Sequence, residues 1–338
     1  MIEHSPAIRS NVLENTQIPL PPSRTSGYSE RVKEICKRNR DLCLMLWVSI
    51  KSALSLSDYK ITLLDLNKLP VGFEEKLKAF EASFSYPFSD QQQFRIEHGK
   101  LGDYFAFFKQ LGKVNYYVAT SQRTGEIAAV GCGVLRKLKS HDGKPTNAWY
   151  ICDLKVGEKF RGQHIPLMFI QNAAWRIFQC PRGFGICMNP PQGEPKAAKL
   201  WRAHGPISGS TQIMNLYTLA DTEVLLHSAK IEVLLREKGY LGQDQYLTFE
   251  STDGMKDYHI FREDPQVTSP WLLAHAQPGP QTSFIPEPGK TYMISAMDGT
   301  SLDKQLNAVL GKKASSTAQI VSYGMKKVDF NFLTSNQI

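Results

Sequence analysis

The chain has 338 residues, of which 42% are hydrophobic and 21% are charged. This composition supports an ordinary folded core and excludes a chain that is disordered throughout. Lysine and arginine outnumber aspartate and glutamate by 40 to 32, which gives a net charge of +8. Such a surplus suits an anionic partner, namely a phosphorylated cofactor, a nucleic acid or an acidic membrane surface, although it can also serve solubility alone.

The cysteines and the apolar runs exclude several other classes of protein. Six cysteines are scattered along the chain without a C-x-x-C spacing, so we expect no metal site and a reduced, cytoplasmic protein. The first ten residues include Glu3, Pro6 and Arg9 and do not have the pattern of a signal peptide. The longest apolar run, residues 42–50, is far shorter than the ~20 residues that a transmembrane helix needs.

The first 59 residues divide into two parts. Residues 1–27 are polar and contain three prolines, which predicts an extended or flexible arm. Residues 28–59 are basic and then apolar, which predicts a helical extension with a buried second half. A helix on a membrane surface is the alternative, but the polar face lacks a dense row of positive charges.

A regular series of elements follows between residues 60 and 220. Apolar alternation and helical spacing predict, in chain order, strand 60–66, helix 72–84, helical segment 94–111, a hairpin of strands 115–120 and 126–138, strand 147–156, helix 165–179, strand 183–188, helix 195–204 and strand 211–219. The alternation of strands and helices predicts an α/β (α+β) fold in which helices flank a mixed central sheet.

Residues 221–338 predict a smaller C-terminal α/β region of unknown role. A helix at 222–238 is followed by strands 245–250 and 258–262, which we expect to pair across the Asp253-Gly254 turn. Residues 264–290 contain six prolines and predict a linker. A strand at 292–296 and a helix at 302–310 come next.

Residues 151–167, ICDLKVGEKFRGQHIPL, stand out because a strand runs through a short loop into an amphipathic helix. Helix N-termini expose unpaired N–H groups and carry partial positive charge, so this turn could hold a phosphate. Pro166 suits the first helical turn, where a missing N–H costs little. An ordinary connection between a strand and a helix is the alternative.

These residues and the order of the elements resemble the GNAT superfamily of N-acyltransferases over residues 60–220. The strand end Leu154-Lys155-Val156, the loop Arg161-Gly162-Gln163 and the segment AAKLWRAHG at 197–205 match the family's motifs. The resemblance implies a GNAT-like fold and binding of acetyl-CoA or another acyl-CoA. The cofactor-binding residues that it implies are Leu154, Val156, Arg161, Gly162, Gln163, His164 and Asn189.

Three positions depart from the family pattern. His164 and Pro166 replace the glycines that let the backbone approach a pyrophosphate, and Pro166 also lacks an N–H donor. Trp201 stands where the family has a tyrosine that protonates the leaving thiolate. An indole N–H has no useful acidity, so this general acid is absent.

The candidate catalytic residues lie on the strand before the loop. The resemblance places the family's polar strand positions at Tyr150 and Cys152. Period-two alternation puts both on one face with Leu154 and Val156, and puts Asp153 on the other face. A β-bulge could instead turn Asp153 inward. Any of the three could serve as the base that deprotonates an amine.

The resemblance therefore predicts an acyl-CoA-dependent N-acyltransferase in which an amine attacks the thioester directly. The acceptor would be an amine-bearing small molecule or protein, and no nucleic-acid partner is expected. The alternative is a GNAT-derived binding or scaffold module that has lost catalysis, which the three departures favour. A basic adaptor that uses residues 221–338 to bind a protein or nucleic acid is a third possibility.

Overall fold

A computed structural model describes residues 58–89, 92–100, 102–139, 145–190, 193–196, 198–199, 209–237, 246–250, 254–262, 271–279, 286–325 and 330–338. The predicted arm and helical extension lie outside these ranges. All described residues belong to one compact unit, residues 45–338. None of its described helices is both long and apolar enough to cross a membrane.

The elements up to residue 188 alternate between strands and helices. They are, in chain order, β1 (Tyr59–Leu63), α1 (Phe73–Glu81), β2 (Tyr86–Ser89), β3 (Gln92–His98), α2 (Ala106–Leu111), β4 (Lys113–Ser121), β5 (Ile127–Lys139), β6 (Pro145–Val156), α3 (Ile165–Ala173) and β7 (Gly183–Met188). Short 3₁₀ turns at Glu158–Phe160 and Ala174–Phe178 flank α3. The predicted hairpin, strands and α3 helix are confirmed.

The later elements complete the same sheet. They are β8 (Gly209–Ala220), α4 (Asp221–Glu237), β9 (Tyr246–Glu250), β10 (Lys256–Arg262), β11 (Trp271–Gly279), β12 (Thr291–Met297), α5 (Ser301–Leu310) and β13 (Ser316–Tyr323). Helix α5 has the expected end signals, because the Thr300 side chain caps its first turn and Gly311 ends it with a φ of 62°.

Thirteen described strands form one mixed sheet in the order β1-β4-β5-β6-β7-β13-β8-β12-β11-β10-β3-β2, with β9 paired to β11. Most neighbours are antiparallel, whereas the β6–β7 and β11–β12 pairs are parallel. Strands from both sides of residue 220 are interleaved, since β13 lies between β7 and β8, and β10 pairs with β3. The predicted mixed sheet with flanking helices is confirmed.

Three hydrophobic clusters hold helices on the sheet. The largest lies on the face covered by α1 and α2 and contains Leu77, Phe108, Tyr116 and Tyr150. A second contains Phe169 of α3 and packs on the other face of β4 and β5. A third joins α4 and α5 to β8 and β12. Both faces of β4 are buried, which explains why its sequence contains consecutive apolar residues rather than alternating apolar and polar residues.

Three predictions about these elements are wrong. Residues 94–98 belong to strand β3 rather than a helix, because Phe94 and His98 are buried alternately with exposed Arg95 and Glu97. Strands β9 and β10 do not pair with each other, since β9 pairs with β11 and β10 pairs with β3 and β11. The proline-rich segment contains β11, whose residues 271–277 are free of proline.

Candidate functional site

The parallel strands β6 and β7 separate near the middle of the sheet. They pair only at Trp149–Ile151 and Gly183–Gly185. Beyond this point β6 stays paired with β5 up to Val156, whereas β7 stays paired with β13 up to Met188. The diverging segments, 152–156 and 186–188, form an opening that we call the splay.

A β-bulge lies on β6 at the edge of the splay. Val130 pairs with Lys155 and Cys132 pairs with Cys152, so Asp153 and Leu154 together oppose the single residue Gly131. Asp153 has a φ of 53°, a left-handed conformation that is uncommon for residues other than glycine. The extra residue interrupts the regular ladder, which frees backbone groups of β6 at the splay.

The bulge reverses the alternation of side chains along β6. Tyr150 and Cys152 belong to the cluster under α1 and α2, whereas Val156 packs with the α3 cluster. A Cβ atom on Gly131 would lie 3.2 Å from the Phe169 ring of α3 and 3.6 Å from the Leu154 side chain. The strict period-two assignment of Leu154 and Val156 to the face of Tyr150 is therefore wrong, because one inserted residue exchanges the two faces.

Asp153 turns inward and joins a closed set of contacts that we call the buried ring. The Tyr116 hydroxyl donates to Asp153 Oδ2 at 2.5 Å, and the Lys155 ammonium donates to Asp153 Oδ1. Lys155 Nζ also donates to Glu81 Oε1 at 2.6 Å. Tyr104 completes the ring, since its hydroxyl lies 3.5 Å from Glu81 Oε1 and 3.4 Å from the Tyr116 hydroxyl.

The buried ring carries charge in an almost dry environment. The side chains of Lys155, Asp153 and Glu81 are only 2%, 4% and 3% exposed. Burial alone would raise the pKa of Glu81, but His98 and Lys155 outweigh it and lower this pKa to about 2. Burial would likewise lower the pKa of Lys155, but Asp153 and Glu81 raise it above its ordinary value. These charges therefore stabilise one another as ions.

His98 connects the ring to strand β3. Its Nδ1 lies 2.7 Å from Glu81 Oε1, and its backbone N–H donates to Glu81 Oε2 at 2.9 Å. Ligand atoms of Glu81, His98 and Asp153 lie within 4.8 Å of one another, a spacing that could hold a metal ion. The Lys155 ammonium already contacts both carboxylates, so this cluster has its own cation.

The other two catalytic candidates lie beside the ring on the same face. Tyr150 is 2% exposed, its hydroxyl donates to the main-chain oxygen of Gln337, and the guanidinium of Arg136 lies 5.5 Å from its ring centre. Burial raises the pKa of Tyr150 well above its usual value. Cys152 is half-buried and faces Cys132 on β5. The structure thus places Tyr150, Cys152 and Asp153 on one face, with Cys152 the most accessible of the three.

The loop between β6 and α3 is open at its tip. The Gly157 N–H donates to the Ala128 carbonyl at 2.9 Å, which fixes the start of the loop. Arg161 is exposed and lies 3.6 Å from Glu158, and Gly162, with a φ of 80°, has open space on its Cβ side. No side chain caps the described N-terminus of α3. Gln163 completes the loop, whose polar groups therefore face solvent at a helix N-terminus.

His164 takes a left-handed backbone conformation, which glycine adopts more readily than any other residue. It is the residue before α3 and has a φ of 57°. Its carbonyl accepts the Leu167 N–H at 3.0 Å, which begins the helix, and Pro166 lies within the first turn. This left-handed conformation of a residue other than glycine costs roughly 1–2 kcal/mol.

Asn189 follows β7 on the far side of the splay. Its backbone N–H donates to the Thr317 carbonyl at 2.9 Å, and its Nδ2 donates to Thr317 Oγ1 at 2.7 Å. Its Oδ1 is buried without a hydrogen-bond partner among the described residues. Strand β13 thus fixes this side chain from a distant part of the sequence.

The last family motif lies mostly outside the described residues. The Lys199 N–H donates to the Pro195 carbonyl at 3.0 Å, which is one turn of the helix predicted for residues 195–204. Trp201 lies outside the described residues.

Glu81, Lys155 and Tyr116 were not among the sequence candidates. Two of them carry a signal that could have found them. Glu81 follows Leu77 by four residues on the apolar side of an amphipathic helix, and Lys155 lies between Leu154 and Val156 in a central strand. A charged residue at an interior position needs a partner, because an unpaired buried charge is costly.

Comparisons with known proteins were made by sequence and by structure. No protein-family model matches the sequence, and no curated protein matches it either. The structure is similar to Saccharomyces cerevisiae N-myristoyltransferase with bound myristoyl-CoA and inhibitors, at 9% identity and a TM-score of 0.46, covering 83% of this chain and 86% of that chain.

Two further similarities are to GNAT and acetyltransferase structures. A tandem GNAT protein from the clavulanic acid biosynthesis pathway has 11% identity and a TM-score of 0.39, with 80% of this chain and 100% of that chain covered. A Trypanosoma brucei acetyltransferase has 15% identity and a TM-score of 0.29, with 44% and 92% covered.

The internal features of the sheet agree with the family resemblance seen in the sequence. The antiparallel strands β4 to β6, the splay between parallel β6 and β7, and the loop leading into α3 occur in the order that the resemblance implies. The described part of the chain has a mixed α/β fold in which helices flank a mostly antiparallel sheet.

Proposed function

We propose that this protein transfers an acyl group from an acyl-CoA to an amine by direct attack of the amine on the thioester. The observation that carries the proposal is the splay, which opens beside a β-bulge and next to the N-terminus of α3. An opening between two strands admits a narrow thioester-bearing arm. A freed backbone N–H at the bulge can stabilise the negative charge that develops on the thioester oxygen.

We assign cofactor binding to the loop and the strand ends around the splay. Arg161, Gly162, Gln163 and His164 surround the N-terminus of α3, where unpaired N–H groups and the helix dipole favour a pyrophosphate. The backbone between Leu154 and Val156 would contact the arm that carries the thioester. Asn189 would contribute its amide oxygen from the opposite side, since this oxygen has no hydrogen-bond partner in the described part of the chain.

We assign different roles to the three catalytic candidates because their accessibility differs. The carboxylate of Asp153 is bonded to Tyr116 and Lys155, so it acts as a positioning residue that holds the bulge. The Tyr150 hydroxyl donates a hydrogen bond to the main-chain oxygen of Gln337, so we assign Tyr150 a positioning role. Cys152 is the candidate that a substrate can touch. A bound amine would lose its proton to water or to Cys152, and the CoA thiolate would leave.

Binding measurements test the proposal. Isothermal titration of the full-length chain with CoA, acetyl-CoA and acyl-CoAs of increasing chain length should show saturable binding, and each bound ligand should raise the melting temperature. The chain length that binds most tightly would identify the acyl donor. The absence of both binding and a thermal shift for every one of these ligands would overturn the proposal.

A GNAT-derived binding module without catalysis is the second candidate. It is favoured by the burial of Tyr150 and Asp153, whose polar atoms are already bonded within the protein. An assay for free thiol release, run with a panel of amines and the best-binding acyl-CoA, separates the two functions. Thiol release that depends on the amine supports the transferase, whereas tight binding without release supports the binding module.

A further inference from the structure

Two cysteines face each other across the strands next to the bulge. Cys132 of β5 and Cys152 of β6 are directly paired in the antiparallel ladder, and both are free thiols. Residues in this arrangement have Cβ atoms roughly 4.5–5.5 Å apart, and a disulfide needs about 3.5–4.5 Å. A small approach of the two strands therefore suffices to join the sulfurs.

The other described cysteines lack this arrangement. Cys187 of β7 pairs with Gln319. Cys180 lies outside the strands, and its thiol donates to the Asn147 carbonyl at 3.1 Å. Among Cys132, Cys152, Cys180 and Cys187, the first two are the pair whose backbone geometry already suits a bond.

The two thiols differ in access and surroundings. Cys132 is only 3% exposed, and burial together with the neighbouring Cys152 thiol raises its pKa well above the usual value. Cys152 is half-buried, so a small oxidant reaches it first. Two buried cations, Arg136 and Lys256, interact electrostatically with Cys152.

We propose that Cys132 and Cys152 are an oxidisable pair that forms a reversible disulfide with hydrogen peroxide as the oxidant. The Cys152 sulfur attacks the peroxide, the O–O bond breaks, and one water leaves as Cys152 becomes a sulfenic acid. The Cys132 sulfur then attacks the Cys152 sulfur, the S–O bond breaks, and a second water leaves. Two thiols are oxidised by two electrons, and one hydrogen peroxide is reduced to two waters.

The disulfide would act on the proposed site although its formation does not depend on acyl transfer. It would tie β5 to β6 directly beside Gly131, which opposes the bulge residues Asp153 and Leu154. It would also remove the accessible Cys152 thiol. We therefore expect the oxidised form to bind acyl-CoA at least several-fold more weakly, and a thiol reductant to restore binding.

The experiment treats the reduced full-length chain with limiting hydrogen peroxide, blocks the remaining thiols and maps peptides by mass spectrometry. The expected product is a Cys132–Cys152 linked peptide that has lost two hydrogens and is released by dithiothreitol. Cys187→Ser serves as the matched control and should keep the linked peptide. Cys132→Ser should lose it and should instead accumulate oxygen on Cys152.

The wild-type protein alone decides the proposal, even if a serine variant fails to fold. If peroxide leaves both thiols free, or converts Cys152 to a sulfinic acid while Cys132 stays reduced, the proposed pair is overturned. A linked peptide that joins either residue to a different cysteine would overturn it as well. Because this readout needs no acyl-CoA, it stays informative if the proposed transferase activity fails.

Discussion

Lys155 is the residue on which the charges around the bulge depend. It contacts two carboxylates, those of Glu81 and Asp153, from the centre of a buried cluster. Its alkyl stem and ammonium are both removed from water, so no solvent can replace the contact if the side chain is shortened or discharged. The Lys155 ammonium and the Tyr116 hydroxyl together hold the Asp153 carboxylate at the bulge.

Replacing Lys155 should be strongly destabilising. Lys155→Met removes the ammonium that contacts both buried carboxylates, and breaking a buried ion pair in this way costs about 3–5 kcal/mol. The free energy of unfolding, measured in urea, should fall by that amount. Lys159→Met is the matched control, because Lys159 pairs with Glu126 at the surface and is 63% exposed. That variant should unfold almost like the wild type, and an equal loss in both variants would contradict the importance of the buried ring.

Acid should weaken the fold through Glu81. Its pKa is lowered from 4.5 to about 2 because His98 and Lys155 outweigh the opposing effect of burial. A carboxylate with a lowered folded-state pKa contributes stability above its unfolded pKa and loses it as the pH falls through the folded pKa. We therefore expect the urea midpoint to decline steeply from about pH 4.5 to about pH 2.

Glu81→Gln tests this assignment. The variant should be less stable at neutral pH, and its urea midpoint should depend less on pH over the same acidic interval, since the titrating group is gone. Glu126→Gln provides the comparison, because Glu126 is exposed and should leave the slope unchanged. A slope in Glu81→Gln as steep as that of the wild type would show that other carboxylates cause the acid sensitivity.

At the scale of elements, the proposed cofactor site depends on the loop before α3 and on the first turn of that helix. Arg161 is exposed and can turn from Glu158 toward a bound phosphate. Arg161→Glu reverses the charge at the helix N-terminus and should weaken CoA binding tenfold or more, because hydrogen bonds to charged groups contribute about 1.5–3 kcal/mol. Isothermal titration measures the change.

A charge-matched variant separates a local effect from the net charge. Lys113→Glu alters the net charge of the chain equally, but Lys113 is exposed at the start of β4, the end of the strand opposite the turn that contacts the loop. Its CoA affinity should stay within a few-fold of the wild type at physiological salt, where exposed charges beyond about 8 Å are largely screened. Equal weakening in both variants would indicate long-range attraction rather than contact.

The sequence predicts these elements well where one periodicity dominates. The hairpin, β6, β7 and α3 are recognisable because short alternating or helically spaced runs end at clear turn residues. Strand β3 is missed because its phenylalanine Phe94 and the aromatic residues of α2 together mimic a continuous helical pattern. Gly99, with a φ of 66°, and Gly102, with a φ of 124°, separate the two elements.

The site is predicted only in part, for a physical reason. The loop residues are contiguous, so their backbone order reveals a helix N-terminus. The buried ring joins α1, β4 and β6, and Glu81 and Lys155 are 74 positions apart. Such contacts depend on the order of strands in the sheet, which local propensity does not determine. The bulge at Asp153 also shifts the alternation of inward and outward side chains along β6, and no residue type in that segment predicts a bulge.

At the scale of the whole molecule, the continuous sheet makes distant segments depend on one another. Gly183 lies in β7 between Trp149 of β6 and Tyr323 of β13, and a Cβ atom there would come within 2.5 Å of the Tyr323 ring. Gly183→Ala should therefore destabilise the protein by about 1–3 kcal/mol, as other overpacked core changes do. Gly133→Ala is the control, because its nearest contact is an ordinary 3.6 Å.

Amide hydrogen exchange would measure how far the destabilisation caused by Gly183→Ala spreads through the sheet. The strands form one continuous sheet, in which β4 and β10 lie on opposite sides of β7. We therefore expect Gly183→Ala to reduce protection in peptides from both β4, residues 113–121, and β10, residues 256–262. The same peptides in Gly133→Ala should exchange at nearly the wild-type rate. A loss confined to β7 and β13 would show that the two parts of the sheet open independently.

The position of β13 in the sequence also determines when the sheet can be completed during synthesis on the ribosome. Strand β7 is synthesised about 130 residues before its neighbour β13, and at roughly 5–20 residues per second this interval is on the order of ten seconds. During that time the edge of β7 that faces β13 has its hydrogen-bonding groups unsatisfied by the native partner. An open edge of this kind is a site for association with other chains. We therefore expect slower translation between β7 and β13 to lengthen the exposure of this edge in the nascent chain.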